Sequence, residues 1–429
     1  MYKKLYTLNW LMAGIFSMLA IVSCQEPISD EDGKPADHTL LMYMIGDNTL
    51  SSYLETNVRQ ASKAIHDSVA SGKLNLVIYK DHLQLGDNLP RLYWVHLNEN
   101  LEVEEEDLMT WDSEIDSCDP EIMTQVIKTV FSRFDTKIKG MVFAAHASGW
   151  VPQLTNRTYN SPRRNAIGTD EKNPLNKIGS IELWELRKVL EQGPKLDYII
   201  MDCCHMGNAE TAFELRDVTR YMVASPTEIQ GEGMPYKTAI TRLSKCKSDK
   251  DLPGALDYCA QSYLKEYAPY PGATIALYDL RLIQPLADSY RQLIDSNKER
   301  LAEMLEAKGP VIDQRMDSFQ QYGREIASNH YKYYFTDIDD VISWLGTNNA
   351  QAAEAAHKAV AEVVLSEYHT DKFYSHTIDH SCGMAVTLPE VFHLADDHDL
   401  GYGKYFGNFR TATLQAAYHL TAWGSEMGY

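Results

Sequence analysis

Basic residues are scarce in this sequence. Forty Lys and Arg stand against sixty Asp and Glu, a formal net charge of −20. A surface that acidic repels phosphate backbones, which argues against nucleic acid as a partner and favours cationic peptides. Cysteines number seven and never form paired CxxC motifs, so nothing proposes a zinc site. Their spacing is also too open for a disulfide scaffold. The main body has no internal repeat and no low-complexity tract. With 44% hydrophobic and 23% charged residues, the composition is that of an ordinary globular protein. A chain of 429 residues exceeds one small core, which leaves two or three units or one large unit with an extension.

Long apolar runs are missing as well. The longest, Leu8 to Val22, has 15 residues, against the ~20 a spanning helix needs. It follows Lys3 and Lys4 and ends in Ile21, Val22, Ser23 and Cys24. A positive start, a short apolar stretch and a small residue before the cut define an export signal over residues 1–23. The Cys after Ser23 resembles a bacterial lipobox, which makes Cys24 a lipid acceptor. An ordinary cleaved signal or a single membrane anchor are the other readings. Removing 1–23 takes away Lys3 and Lys4 and no acid, so the net charge falls from −20 to −22. Residues 24–37 are polar and acidic, with Pro27 and Pro35, and read as a flexible tether. An acidic run after a lipidated Cys resembles the surface-export signals of some Gram-negative lipoproteins. The expected location is therefore the cell envelope, at the outer membrane or cell surface, with the membrane reached through the lipid anchor.

Beyond His38 the chain alternates buried strands and helices. Continuous apolar runs at His38–Gly46, Leu74–Tyr79, Gly140–Ala145, Leu196–Met201, Tyr221–Ser225 and Ala273–Tyr278 have the look of parallel strands. Arg91–His96 reads as a strand nearer an edge. Helices are expected near Ser52–Ala70, from Asp119 and Pro120 to Phe134, Ile181–Glu191 and Leu252–Glu266. The pattern predicts an α/β/α sandwich around a mostly parallel sheet at 38–290. A mainly helical region follows at 291–429, with one late strand at Cys382–Pro389. The stretch Val151–Lys177 is long, polar and basic, with Arg157, Arg163, Arg164, Lys172 and Lys177. Loops that long are usually functional or disordered.

Two residues stand out for chemistry. His146 and Cys204 each follow a predicted buried strand, at the sheet edge where α/β proteins bind ligands. A single helical crossover joins the two strands, which makes them candidate neighbours. A thiolate is the nucleophile, and a nearby imidazole takes the proton of the thiol and returns it to a leaving amine. A His about 50 residues before a Cys in a short signature marks caspase-type enzymes, and the separation here is 58. Singly, a His after a strand is usually a satisfied polar residue and a buried Cys a small hydrophobe. Cys203, Cys204 and His205 are too close in sequence to converge on one metal ion. His376 and His380 have helical metal-ligand spacing, but read first as a loop before the late strand.

The segments His146–Trp150 and Asp202–Gly207 together resemble the clostripain family of cysteine peptidases, relatives of caspases, gingipains and legumains. Tyr43–Asn48, Ala224–Tyr236 and the late Gly383–Pro389 segment carry the same resemblance, which spans most of 38–429. It implies a caspase-like fold and a cysteine endopeptidase acting through an acyl-enzyme thioester. Cys204 matches the nucleophile and His146 the base. Backbone N–H groups of Ala147 and Cys204 would hold the oxyanion. Asp202 matches an acid at the floor of the primary specificity pocket, which implies protein or peptide substrates with Arg or Lys before the cut. Glu228 and Glu232 would add negative charge there. The family also implies self-cleavage, for which the basic Val151–Lys177 loop is the candidate segment. Some members need calcium; no EF-hand pattern is present, and the sequence itself requires no cofactor. Ala147 stands where the family has Gly, Cys203 where it has Ala, and His205 where Leu is common. Cys203 should point away into packing, since neighbours on a strand face opposite sides. His205 would either perturb Cys204 or be exposed. The rival readings are a non-catalytic surface lipoprotein binding peptide or glycan on the same scaffold, and a peptidase selecting Asp or Asn.

Overall fold

The computed structural model describes residues 36–68, 74–82, 89–152, 167–171, 178–306, 314–323, 334–392 and 409–429. Cys24 and the basic positions Arg157, Arg163, Arg164, Lys172 and Lys177 lie outside the described residues.

Nine strands form one sheet. They are β1 (His38–Gly46), β2 (Leu74–His82), β3 (Arg91–Leu97), β4 (Val103–Thr110), β5 (Ile138–Ala144), β6 (Leu196–Asp202), β7 (Thr219–Ala224), β8 (Thr274–Asp279) and β9 (Val364–His369). Across the sheet they run β9-β8-β7-β6-β5-β1-β2-β3-β4. The five central strands, β7 through β2, are parallel, and the outer pairs are antiparallel. The central strands read as continuous apolar runs because helices cover both faces. Alternation sorts each run: Leu40, Met42 and Met44 of β1 enter one core and Leu41, Tyr43 and Ile45 the other.

One face carries α1 (Ser51–Ser68) together with Tyr236–Leu243 and Leu252–Tyr267. The other carries α2 (Pro120–Arg133), α3 (Leu183–Leu190) and α4 (Ala209–Leu215), then most of the C-terminal helices. The start of α2 is fixed as expected. Asp119 accepts the Glu121 N–H at 2.7 Å, with Pro120 in the first turn.

Three features differ from the sequence expectation. The late strand is two residues long: Ala385–Val386 pairs with Thr336–Asp337, outside the main sheet, and Ala385 also bridges Asn208. The rest of Cys382–Pro389 is held by single contacts, such as the Thr387 N–H to Glu210 Oε1 at 2.9 Å. The sheet gains β4, whose Glu104, Glu105, Glu106 and Asp107 face solvent on an edge and hide its strand character. It also gains β9, which begins at Val364, directly where the helix Ala350–Val363 stops. No helix among the described residues is long and apolar enough to cross a membrane.

Candidate active site

The register of β5 against β6 sets the site. Ala144 pairs with Asp202 in the parallel ladder. His146 and Cys204, each two residues further on, therefore leave adjacent strands at the same level. Side-chain alternation continues past both strand ends: Ala145 and Cys203 belong to the core under α2 and α3. Cys203 is buried, with its Sγ 3.2 Å from Phe143 O, and burial pushes its thiol pKa well up. Cys204 turns the other way and is half-buried, with Sγ 3.8 Å from Ile229 O.

His146 is also half-buried. Its Nε2 lies 2.9 Å from Oγ1 of Thr49, in the turn after β1. Burial holds the imidazole below the ordinary histidine value, while the Glu171 carboxylate pulls it back up. A base that is neutral near pH 7 can accept a thiol proton. The His146 carbonyl accepts the Gly168 N–H at 2.8 Å, and Ala147 bridges Ile167, so the far end of the Val151–Lys177 stretch returns against the His146 loop.

The two loops pack on each other. Gly149 has φ +64, and a Cβ there would sit 2.8 Å from both His205 O and Phe335 Cε1. His205 itself takes φ +57, uncommon for a residue with a side chain. The bonds that hold it there include its N–H to Thr227 O at 2.9 Å, Nδ1 to Pro226 O at 2.9 Å, and its carbonyl from Asn208 Nδ2 at 2.5 Å. Its ring stacks on Phe335 at 4.4 Å and 2°. His205 is therefore buried, 6% exposed, with its ring stacked on Phe335; the expectation of an exposed side chain is corrected. Asn208 then caps α4 by accepting the Thr211 N–H at 2.7 Å.

Asp202 lies beneath the 231–236 segment, 6% exposed. Its Oδ2 accepts the Tyr236 hydroxyl at 2.5 Å and the Met234 N–H at 3.2 Å, while Oδ1 is buried with no hydrogen bond among the described residues. Burial pushes its pKa up to about 6 against those two donors. Gly233, with φ +68, lies directly over it: a Cβ there would meet Asp202 Oδ2 at 2.4 Å and Asn57 Nδ2 at 3.0 Å. Tyr267 secures the segment through its hydroxyl on Gly233 O at 2.7 Å. Glu228 is half-buried and Glu232 exposed in the same stretch.

His376 and His380 do not converge. His376 Nε2 is 2.6 Å from Gln321 O, and His380 Nε2 is 3.0 Å from both oxygens of Asp340. Among the described residues no group of three His, Cys, Asp or Glu is arranged to hold a metal ion. Sequence reasoning missed Thr49, whose only signal was its place just after the buried strand β1 and Asp47–Asn48. It also missed the buried carboxylates Asp47, Asp81 and Asp170, which nothing in a linear pattern distinguishes from surface acids.

Comparison with known proteins matches the Clostripain family, peptidase C11, over residues 42–423. The chain belongs to the clostripain family. It is 25% identical to clostripain of Hathewaya histolytica over 226 residues, 48% of this chain and 42% of that protein. The match therefore spans less than half the length of that relative. A secreted C11 cysteine protease from Bacteroides thetaiotaomicron, solved with an irreversible peptide inhibitor, shares the fold at a TM-score of 0.70 and 20% identity. That likeness covers 92% of this chain and 99% of the other. The inactive zymogen of a C11 protease from Parabacteroides distasonis gives the same TM-score, identity and coverage. The α/β/α sandwich is thus the fold of C11 proteases, a caspase-like one.

Proposed function

We propose that this clostripain-family protein is a cysteine endopeptidase with Cys204 as nucleophile and His146 as general base and acid. The observation that carries the reading is the level placement of these two residues off the neighbouring parallel strands β5 and β6. In the reaction, Sγ of Cys204 loses its proton to His146 and attacks the scissile carbonyl. The imidazolium then protonates the leaving amine, and water resolves the thioester with His146 again as base. Backbone N–H groups of Ala147 and Cys204 hold the oxyanion. His205 is buried beside the nucleophile, with its ring stacked on Phe335 and Nδ1 on the Pro226 carbonyl.

Asp202 selects Arg or Lys before the cut. Two features support this: its buried Oδ1, free to accept a cationic side chain, and the acidic balance of the chain. Substrate entry requires the Gly231–Tyr236 segment to lift from Asp202, because Gly233 and Tyr236 cover it without substrate. Glu228 and Glu232 add negative charge at the rim. Cleavage within Val151–Lys177 and lipid anchoring through Cys24 belong to the same reading; both fall largely or wholly outside the described residues. Calcium finds no three-residue carboxylate or imidazole group to hold it among the described residues, and no step here uses it.

A panel of fluorogenic peptides with Arg, Lys, Asp or Asn before the leaving group tests the proposal. Wild type should turn over the Arg and Lys peptides, with Cys204→Ala inactive and His146→Ala down ~10²–10⁴-fold. Undiminished turnover by Cys204→Ala would end the proposal.

A further inference from the structure

Three neighbouring parallel strands end at the site. β5 lies between β1 and β6, and Ala144 of β5 is level with Met44 of β1 on one side and Asp202 of β6 on the other. Two residues beyond that level stand Gly46, His146 and Cys204. The turn after Gly46 brings Thr49 to the imidazole, with Oγ1 2.9 Å from Nε2.

We propose that Thr49 is a positioning residue for His146, the first member of a Thr49–His146–Cys204 row across three strand ends. It holds the imidazole as the Nε2–H tautomer and leaves Nδ1 for proton exchange with the thiol. This inference rests on the reading of Cys204 and His146 as nucleophile and base.

A neutral imidazole has one donor and one acceptor nitrogen; a hydroxyl can accept from the first or donate to the second, and proton exchange with the thiol through Nδ1 selects the arrangement in which Oγ1 accepts. When Oγ1 of Thr49 accepts from Nε2–H, the lone pair stays on Nδ1. That lone pair takes the Sγ proton as the S–C bond forms, and the same proton passes to the amine as the C–N bond breaks. The imidazolium in between still carries Nε2–H, so the bond to Thr49 persists through the cycle. Were Nε2 the acceptor, Nδ1 would carry hydrogen and have no lone pair for the thiol.

The turn is built to hold Thr49 in place. Asn48, fully buried, donates from Nδ2 to Ile45 O at 3.1 Å and to Thr169 O at 2.6 Å, and its Oδ1 accepts the Leu50 N–H at 2.8 Å. The Asn48 N–H reaches Gly46 O at 2.8 Å and the Ser51 N–H reaches Asn48 O at 3.2 Å. These bonds fix the backbone on both sides of a residue that is itself exposed. Threonine adds a stiff χ1, which limits the arc its hydroxyl sweeps. Thr49 contributes nothing to either hydrophobic core, so removing its hydroxyl tests the histidine contact rather than the fold.

The experiment compares wild type, Thr49→Val and Thr49→Ser in the full chain, with His146→Ala and Cys204→Ala as references. Three quantities are read: kcat/KM against pH on an Arg fluorogenic peptide, the pH dependence of Cys204 alkylation by iodoacetamide, and the thermal midpoint. Thr49→Val should lower kcat/KM about five- to tenfold, the range of one neutral hydrogen bond. Its acid limb should move to lower pH, since a bond favouring the imidazolium is lost. Thr49→Ser should restore both, with thermal midpoints alike. A Val variant matching wild type in rate and profile, while His146→Ala is down ~10²-fold or more, overturns the role of Thr49 alone. So does a Ser variant as impaired as Val. Full activity of both reference variants removes the underlying reading, and this inference with it.

Discussion

Trp150, four residues past His146, donates its indole N–H to Oγ1 of Thr387 at 2.9 Å. The Thr387 hydroxyl donates to Tyr334 O at 2.6 Å, and its backbone N–H donates to Glu210 Oε1 at 2.9 Å. Glu210 lies on α4, which starts where the Cys204 loop ends. The His146 loop and the Cys204 loop are thus tied through a third segment more than 170 residues beyond either. All three side chains are buried, so each bond forms away from competing water.

Thr387→Val keeps the shape and removes the hydroxyl. It leaves the Trp150 N–H and the Tyr334 carbonyl buried without that partner, at a cost of about 1–3 kcal/mol. Urea denaturation should show this loss, with Thr387→Ser recovering most of it. A Val variant as stable as wild type would mean that the loops are not tied here.

Asp202 makes a pH-dependent demand on stability. Its folded pKa is raised to about 6, above the ordinary aspartate value near 4. Between those values the unfolded chain has released the proton and the folded chain keeps it. Stability from this group therefore falls as pH rises through about 4 to 6 and stays low above. Relative to wild type, Asp202→Asn should gain on the order of 2–3 kcal/mol between pH 4 and pH 7. The same variant should lose its preference for Arg and Lys peptides. Parallel stability curves for the two proteins would refute the assignment of the shift.

Burial lowers the pKa of His146 and Glu171 raises it. With burial the larger effect, the acid limb of kcat/KM should have its midpoint below about 6.5. Glu171→Gln removes the opposing charge and should move that limb lower still. A limb that moves upward in Glu171→Gln, or one centred above 6.5 in wild type, contradicts the electrostatic account.

An enzyme selecting Arg or Lys should cut its own basic segment. Wild type is expected to convert into two chains split between Arg157 and Lys177, and Cys204→Ala to remain whole. Intact mass measurement of both purified proteins decides this. Identical nicking in the alanine variant would assign the cut to another protease.

The parts legible in the sequence were those governed by local pattern. β5 and β6 announce themselves as apolar runs, and strand alternation alone sends Cys203 into the core and Cys204 away from it. What stayed hidden depends on distant contacts. His205 reads as either a perturber of Cys204 or an exposed side chain, and its burial depends on Phe335, 130 positions away, stacking on it. β4 is concealed by Glu104–Asp107, which an antiparallel edge tolerates because it faces water. β9 is concealed because the helical run ending at Val363 meets it without a Gly or Pro between. Thr49 could not be found from spacing, since its contact to His146 depends on β1 lying beside β5.

The proposed attack of Cys204, activated by His146, on the substrate carbonyl separates an enzyme from a binding protein on the same scaffold. Its most direct test is covalent capture by a peptidyl electrophile ending in arginine, followed by peptide mapping. A single adduct on Cys204 is expected, absent in Cys204→Ala and formed at least ~10²-fold more slowly in His146→Ala. An adduct on Cys203 or Cys382 with Cys204 untouched would contradict it, as would labelling that proceeds at the wild-type rate without His146.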